Sequence, residues 1–464
     1  MRLYFIIISA IFLFSSCSGV KNLTKANVNA PSQYIESAGT DTSSIADMKW
    51  WEYYADSTLS DIIRHTLKNN RDFLKAASRV EELRRLYDME KVNLLPSITG
   101  VVGGDYETNK YQGDHIKKDP ETDLKVSLNW EVNLWGALKW SRRQSASQYQ
   151  ASVEDLRAMQ MTLIAEVAAA YFRLLALDNE LAIVKQTLIT RSEALNQAKL
   201  RFEGGLTSET VYQQAKVEYS STASLVPNLE KQITVAQNAL TLLMGEYPME
   251  NLKRGKLFLN VKLPESLPIG IPSQLLERRP DLRASENRLA AAMANVGVNY
   301  ANRFPSLKIN LAAGFENDGL TKFFESPFTY VLGNISGTIF DFGRKKRKYQ
   351  ASIAAYDQAR YDYEQSVLKA FTEVSNAVTT YQKVHQNTSL KIDLRDATAK
   401  YVQLAQLQYR AGSLNYIDVL DAQRRYFDAQ IGVSNALRDE YLSLINLYKS
   451  LGGGWELSIN QQDR

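Results

Sequence analysis

Apolar and polar positions recur along this chain with two different periods. Leu124, Val126, Leu128, Trp130, Val132 and Leu134 fall on one face of an extended segment, with Lys125, Ser127, Asn129, Glu131 and Asn133 on the other. The same period of two returns in Leu307, Ile309, Leu311, Ala313 and Phe315, set against Lys308, Asn310, Ala312, Gly314 and Glu316. A weaker version places Val331, Gly333, Ile335, Gly337 and Ile339 together. Such alternation predicts β-strands with one apolar face. Each strand region gives way to a stretch free of glycine and proline, 137–203 and 344–411, where helix formers carry heptad-like apolar spacing. An unbroken helix of that length reaches about 100 Å at about 1.5 Å per residue, several times the size of a compact domain.

The two regions are copies of one unit. At an offset of 207 (343 − 136), Gly136 falls on Gly343, Glu166 on Glu373, Phe202 on Tyr409, Gly205 on Gly412, Ala215 on Ala422 and Gly245 on Gly452. Leu95-Pro96-Ser97 matches Phe304-Pro305-Ser306 at 209 (305 − 96), which fits a small length difference in the hairpins. The chain therefore divides into a first repeat, 50–244, with strands at about 97–106 and 122–135 and a long helix at 137–203. A linker with four prolines and no helical period spans 245–272. The second repeat, 273–452, has strands at about 306–316 and 328–342 and a long helix at 344–411, followed by a tail at 453–464. The fold class is mixed α and β, a duplicated strand–strand–long helix–helix unit.

Composition narrows the function classes. A net charge of +4 over 464 residues is too small for a nucleic-acid footprint. His65, His115 and His385 are far apart and lack metal-ligand spacing. There is no phosphate-binding glycine loop and no nucleophile elbow, so no enzyme and no cofactor is expected. Residues 1–16 have the shape of a signal peptide, a short positive start before an apolar run too short to span a bilayer. Cys17 is the only cysteine, so no disulfide forms within one chain. Small residues before it resemble a bacterial lipobox, with Phe14 where that pattern favours leucine. Cys17 would then be the acylated start of a tether over 17–49 rich in Ser, Thr, Asn and Ala; simple secretion with cleavage nearby is the other reading.

No segment after the leader has eighteen consecutive apolar residues, so a membrane crossing falls to the strands. Strands of about ten residues with one apolar and one polar face match those of outer-membrane barrels. Trp130, Trp135, Trp140, Phe340 and Phe342 are candidate interfacial aromatics. Four strands per chain cannot close a barrel: two chains would give eight strands with a filled interior, and three would give twelve with an aqueous lumen. The polar faces favour the lumen and hence a trimer. Both long helices then leave the barrel together as a coiled-coil tunnel.

The sequence resembles the outer-membrane efflux factors, TolC-like proteins of the lipoprotein OprM-like branch. The likeness is carried by Trp50-Trp51 with Asp56 and Leu59, by Asn70-Arg71-Asp72, and by the run Arg279–Glu286 leading to Phe304-Pro305-Ser306. The glycine-marked helix breaks and the run Tyr409–Gln423 add to it. The resemblance implies a homotrimer in the outer membrane of a Gram-negative bacterium, lipid-anchored, with a twelve-stranded barrel and a helical tunnel in the periplasm. It implies a passive exit duct for drugs and other small toxic molecules, coupled through a periplasmic adaptor to a proton-driven inner-membrane transporter. It also places acidic residues of the closed periplasmic mouth at Asp418 and Asp421, past the helix-tip breaks at Phe202, Gly205, Tyr409 and Gly412. Val211 and Gln214 stand at the symmetric positions. Rings of such carboxylates would repel and raise some of their pKa values. Leu414 stands where some members have a basic residue. A duct for protein secretion and a structural lipoprotein that transports nothing are the alternatives. Replacing Cys17 by Ser is expected to abolish incorporation of labelled palmitate, and persistent labelling would sink the lipid anchor.

Overall fold

The computed structural model describes residues 23–28, 31, 43–49, 56–110, 116–250, 252–255, 267–318 and 322–455. The leader, Cys17, Trp50-Trp51 and the tail beyond Trp455 lie outside the described residues. Among those residues there are twelve α-helices and strands, written here as α1 (Ser57–Asn69), α2 (Arg71–Val92), β1 (Ser97–Lys110), β2 (Ile116–Val132), α3 (Ala137–Glu203), α4 (Glu209–Leu243), α5 (Pro272–Arg278), α6 (Pro280–Ala301), β3 (Ser306–Asn317), β4 (Pro327–Ser336), α7 (Arg344–Arg410) and α8 (Tyr416–Ser450). The chain splits into two compact units: one holds residues 1–28, 78–153 and 283–366, the other residues 29–77, 154–282 and 367–464.

The first unit is built on a four-stranded antiparallel sheet in the order β1-β2-β3-β4. Its register is what gives the alternation a consequence. Leu124 faces Val102 on one side and Phe315 on the other, Leu128 faces Ile98 and Leu311, and Leu311 faces Val331. Every apolar set therefore lands on the same side, and a one-residue slip of any strand would break the band. That side is uncovered: Val102 is 80% exposed, Val331 74% and Ile335 71%. The β2–β3 pairing joins the two repeats, while β1 and β4 each have a partner on one side only among the described residues.

The strands do not stop where the alternation does. Residues 107–121, between the two strands expected in repeat one, are largely ladder, with Glu107 opposite Asp119 and Lys110 opposite Ile116. Backbone pairing needs no apolar side chains, so a strand with two wetted faces leaves no period-two signal. At the other end β4 stops at Ser336, short of the expected 342. Its last rung is Ser306 opposite Ser336, next to Pro305, which has no N–H to donate. A Cβ at Gly337 would come within 2.9 Å of the Pro305 Cβ, so only glycine fits this close approach without a shift. Asp341 then opens α7, its carboxylate accepting from the N–H groups of Gly343 (3.0 Å) and Lys345 (2.9 Å).

In the second unit the long helices bury a core of Val167, Tyr171, Phe172, Leu174, Val374, Tyr381 and Leu447. Phe172 stacks on Tyr441 with ring centroids 4.5 Å apart. The most apolar window of α3 has a mean hydropathy of 1.3, enough by composition to cross a bilayer, but 67% of it is buried inside the chain. It is a core helix, which leaves the strands as the candidates for membrane contact.

The helical segment before each pair of strands is broken, at Asn70 between α1 and α2 and at Arg279 between α5 and α6. Pro280 explains the second break, because proline disfavours helical geometry in the residue before it. The two breaks are symmetric (279 − 70 = 209) and do the same work. Asn70 Nδ2 donates to the carbonyl of Leu243 (2.8 Å), and Arg279 Nη1 donates to the carbonyl of Ser450 (3.2 Å), each at the end of a returning helix. The next break glycines, Gly245 and Gly452, sit against the backbone of Asn69 and Arg278, where a Cβ would collide. Arg279 also binds Asp281 (2.7 Å) and Glu373 (2.7 Å) from a buried position. Arg279→Ala leaves a buried carbonyl without its charged donor and is expected to cost about 2–3 kcal/mol. Asn70→Ala should cost about 1–2 kcal/mol by the same reasoning. Thermal unfolding checks both, and two variants as stable as the parent chain would remove this anchoring role.

Candidate functional site

The residues singled out beyond the long helices meet at the α3–α4 and α7–α8 turns, all within the second unit. Both turns are closed by the same backbone motif. Gly205 N–H donates to Phe202 O (2.9 Å) and Leu206 N–H to Arg201 O (2.8 Å). Gly412 N–H donates to Tyr409 O (3.0 Å) and Ser413 N–H to Gln408 O (3.0 Å). This six-to-one plus five-to-two pair needs a left-handed residue, and Gly205 and Gly412 have φ of 71° and 75°. A side chain at either position would be strained, so glycine is required by geometry at each tip.

The aromatic markers have different surroundings. Phe202 stacks on Tyr212 at 5.9 Å across the first turn. Tyr409 lies 5.5 Å from Tyr416 across the second and packs with Leu414 against Ala405, Val419 and Ala422. Leu414 thus contributes an apolar contact where a basic residue would have offered a charge. Arg201 Nη1 donates to Tyr409 Oη (3.1 Å), tying one repeat's tip to the other's. Burial pushes the Tyr416 hydroxyl above its ordinary pKa, with the neighbouring Tyr409 and Glu218 adding to the shift.

Asp418 and Asp421 lie on the first two turns of α8. Asp418 is the acidic residue of the first helical turn, where its charge complements the helix dipole. Asp421 is held by two arginines on its own helix: Arg425 Nε at 2.6 Å and Arg424 Nη2 at 2.8 Å. Hydrogen bonds from Arg425 and then Arg424 hold its carboxyl below the usual range, and their positive charges add to this. Within one chain the effect is opposite to the repulsion expected of stacked carboxylate rings. These arginines stand three and four residues after Asp421, a helical spacing that the sequence displays.

A second cation was not visible in the sequence pattern. Arg191 of α3 is nearly buried, paired with Glu218 of α4 (3.0 Å), bonded to Thr222 and placed over the Phe427 ring of α8 at 5.4 Å. Burial lowers its pKa, the Arg424 charge also lowers it, and Glu218 and Asp428 oppose the shift. Nothing in the spacing of 191, 218 and 427 announces this meeting of three helices. No group of His, Cys, Asp and Glu able to hold a metal occurs among the described residues.

Comparison with known proteins places this geometry among others of its kind. The family model "Outer membrane efflux protein" matches residues 62–246 and 271–453, so its two matched segments fall on the two repeats. The chain is 31% identical to the toluene efflux pump outer membrane protein TtgF of Pseudomonas putida over 93% of this chain and 89% of that protein. It is 29% identical to the probable outer membrane lipoprotein SilC of Salmonella typhimurium, over 98% of this chain and 99% of that protein. The solved structure of the outer-membrane channel OprN superposes with a TM-score of 0.84 at 28% identity, covering 93% of this chain and 99% of that one.

The Asp421 pairing carries a pH dependence of definite sign. A carboxyl whose folded pKa is depressed contributes stability above its unfolded value, about 3.9, and loses it as pH falls through the depressed one. Carbon-13 titration of the aspartate carboxyls should place the Asp421 midpoint below about 3.9 and return it towards that value in R424Q/R425Q. Equal midpoints in the two proteins would show that the pairing does not form in solution.

Proposed function

The chain belongs to the outer membrane efflux protein family and is an outer-membrane efflux component; on that premise we propose that it is the passive exit duct of a tripartite system for drugs and other small toxic molecules. The observation that carries this reading is the sheet: four strands whose apolar positions share one face, open at Val102, Val331 and Ile335, with an edge on each side that is unpaired among the described residues. In lipid an unpaired strand edge leaves backbone donors and acceptors without partners, so the sheet must close on other copies. Three copies of four strands make a twelve-stranded barrel, wide enough for an aqueous lumen lined by the polar faces. With β2 and β4 both leading into long helices, the two 67-residue helices of each copy start at one rim, and the helical part lies in the periplasm.

The remaining roles follow from that arrangement. Cys17 carries the acyl anchor, with 1–16 removed as a signal peptide and 17–49 serving as tether. The duct performs no chemistry and draws energy from an inner-membrane transporter, proton-driven, through a periplasmic adaptor. Asp418 and Asp421 narrow and charge the periplasmic mouth, and the turns closed by Gly205 and Gly412 form the tips that the adaptor meets. Small-molecule cargo is favoured over protein secretion by the relatives, among them the toluene efflux protein TtgF. A strain lacking the gene should become sensitive to dyes, detergents or antibiotics, and the wild-type gene should restore resistance. Complementation with D418A/D421A should restore efflux but admit a large hydrophilic antibiotic that the intact outer membrane excludes. Unchanged susceptibility across a broad panel would count heavily against small-molecule efflux, and a double variant as tight as wild type would remove the gate.

A further inference from the structure

Four of the eight described helices start with an acidic residue that suits the helix dipole. The first turns of α2, α4, α6 and α8 carry Asp72, Glu209, Asp281 and Asp418, each near the positive end of a helix dipole. The two long helices that follow the strands carry the opposite charge at their starts. Neither α3 nor α7 has an acidic residue in its first turn. Instead α7 opens with the unbroken basic run Arg344–Lys348, and α3 carries Lys139, Arg142 and Arg143. Cations at a helix N-terminus oppose the dipole and one another. Local charge placement that works against its own helix calls for an external anion.

The surroundings supply few anions for these eight cations. From Asn133 to Val153 there is no acidic residue, and between Pro327 and Tyr356 there is only Asp341. Asp341 is committed to capping α7 through the N–H groups of Gly343 and Lys345. Glu90 of α2, beside the start of α3, accepts a hydrogen bond from Ser141 (2.9 Å). Among the described residues no ion pair engages Arg344–Lys348, and Arg344, Lys346, Arg347 and Lys348 are exposed.

A second, independent feature says what kind of anion fits. Just before the basic run, Ile339, Phe340 and Phe342 are 102%, 73% and 84% exposed, with the two phenylalanine rings in edge contact at 4.6 Å. They continue the uncovered apolar band of β4, from Val331 through Ile335. Along the chain the order is therefore apolar strand face, exposed aromatics, then cations. A hydrocarbon core, an interface and a layer of headgroup phosphates are met in that order on leaving a bilayer. In repeat one Trp130 on β2 is exposed and the Arg143 guanidinium lies 4.7 Å over the half-buried Trp140 ring, while Trp135 stacks on Phe304. β2 and β4 run in the same direction through one antiparallel sheet, so both basic starts lie at the same end of it.

We propose that Arg344–Lys348, together with Lys139, Arg142 and Arg143, forms a binding surface for anionic phospholipid headgroups in the membrane leaflet that faces the periplasm. The proposal rests on the reading that the sheet spans the outer membrane with its helices on the periplasmic side. The phosphates supply countercharge beyond the single carboxylate of Asp341, and the exposed aromatics seat in the acyl boundary beneath them. The bound lipids thereby set the depth at which the sheet sits.

The test uses the purified full-length protein and native mass spectrometry, titrating dioleoyl-phosphatidylglycerol against dioleoyl-phosphatidylcholine. Wild type should prefer the anionic lipid about tenfold or more, with the preference falling as salt rises. R344Q/K345Q/K346Q/R347Q/K348Q should lose most of that preference while keeping the helical circular dichroism of the parent. Should the fivefold variant misfold, K346Q/R347Q/K348Q gives the same reading from exposed positions alone. F340S/F342S should weaken both lipids alike and leave their ratio unchanged. A folded variant that keeps the wild-type ratio, a wild type with no preference, or tighter binding of lipid A than of phosphatidylglycerol each overturns the proposal. Conductance of the same proteins in planar bilayers reports the duct separately, since lost conductance with intact lipid preference tells against the duct alone.

Discussion

The backbone at the end of a long helix has carbonyls with no partner, and this chain satisfies them in the same way in each repeat. Asn70 and Arg279 reach the carbonyls of Leu243 and Ser450, and Gly245 and Gly452 let the chain close against the backbone beside each break. A helix as long as α3 or α7 gains little from its own hydrogen bonds unless its returning partner is held in register. The polar side chain at each break supplies that register at one end, and the glycine-closed turn supplies it at the other. Duplication preserved the geometry and let the chemistry drift: a neutral amide does in one repeat what a guanidinium with two acidic partners does in the other.

The sheet depends on a different constraint, the period of two. Since the register aligns Leu124, Phe315, Leu128, Leu311 and Val331 on one side, the uncovered face is apolar across all four strands. A water-soluble sheet would bury that face under a helix or a second sheet. Here Val102, Val331 and Ile335 stay open, which is the expected state of a surface whose solvent is lipid. Polar side chains on the opposite side include the Asp123–Lys125 pair at 3.0 Å. On the proposed reading, membrane insertion and an aqueous lumen would both come from one alternation read on its two faces.

At the tips the repeats diverge. Both keep the left-handed glycine, because backbone geometry allows no substitute without strain. Only the second carries Asp418 and Asp421, and Asp421 is tied to Arg424 and Arg425 on its own helix. A carboxylate already neutralised within its own chain repels its copies less than a bare one would. Opening and closing at such a mouth would therefore depend on where the two arginines go as well as on the aspartates.

Much of this was legible in the residues alone. The alternation at 122–135 and 306–316, the glycine-free runs and the constant offset between Gly136/Gly343 and Gly205/Gly412 determine the duplicated unit, because strand and helix periods are local properties of the chain. The spacing of Asp421 with Arg424 and Arg425 also sits within one helical turn and needs no fold to be read. Tertiary structure decided the rest. The polar ends of β1 and β2 pair without any apolar period, and β4 stops where Pro305 has no donor to offer, so strand limits follow the partner strand. Arg191 meets Glu218 and the Phe427 ring only because three helices pack side by side. The meeting of Asn70 with Leu243 and of Arg279 with Ser450 is likewise invisible in sequence, since a hydrogen bond across such a separation is set by packing and not by spacing.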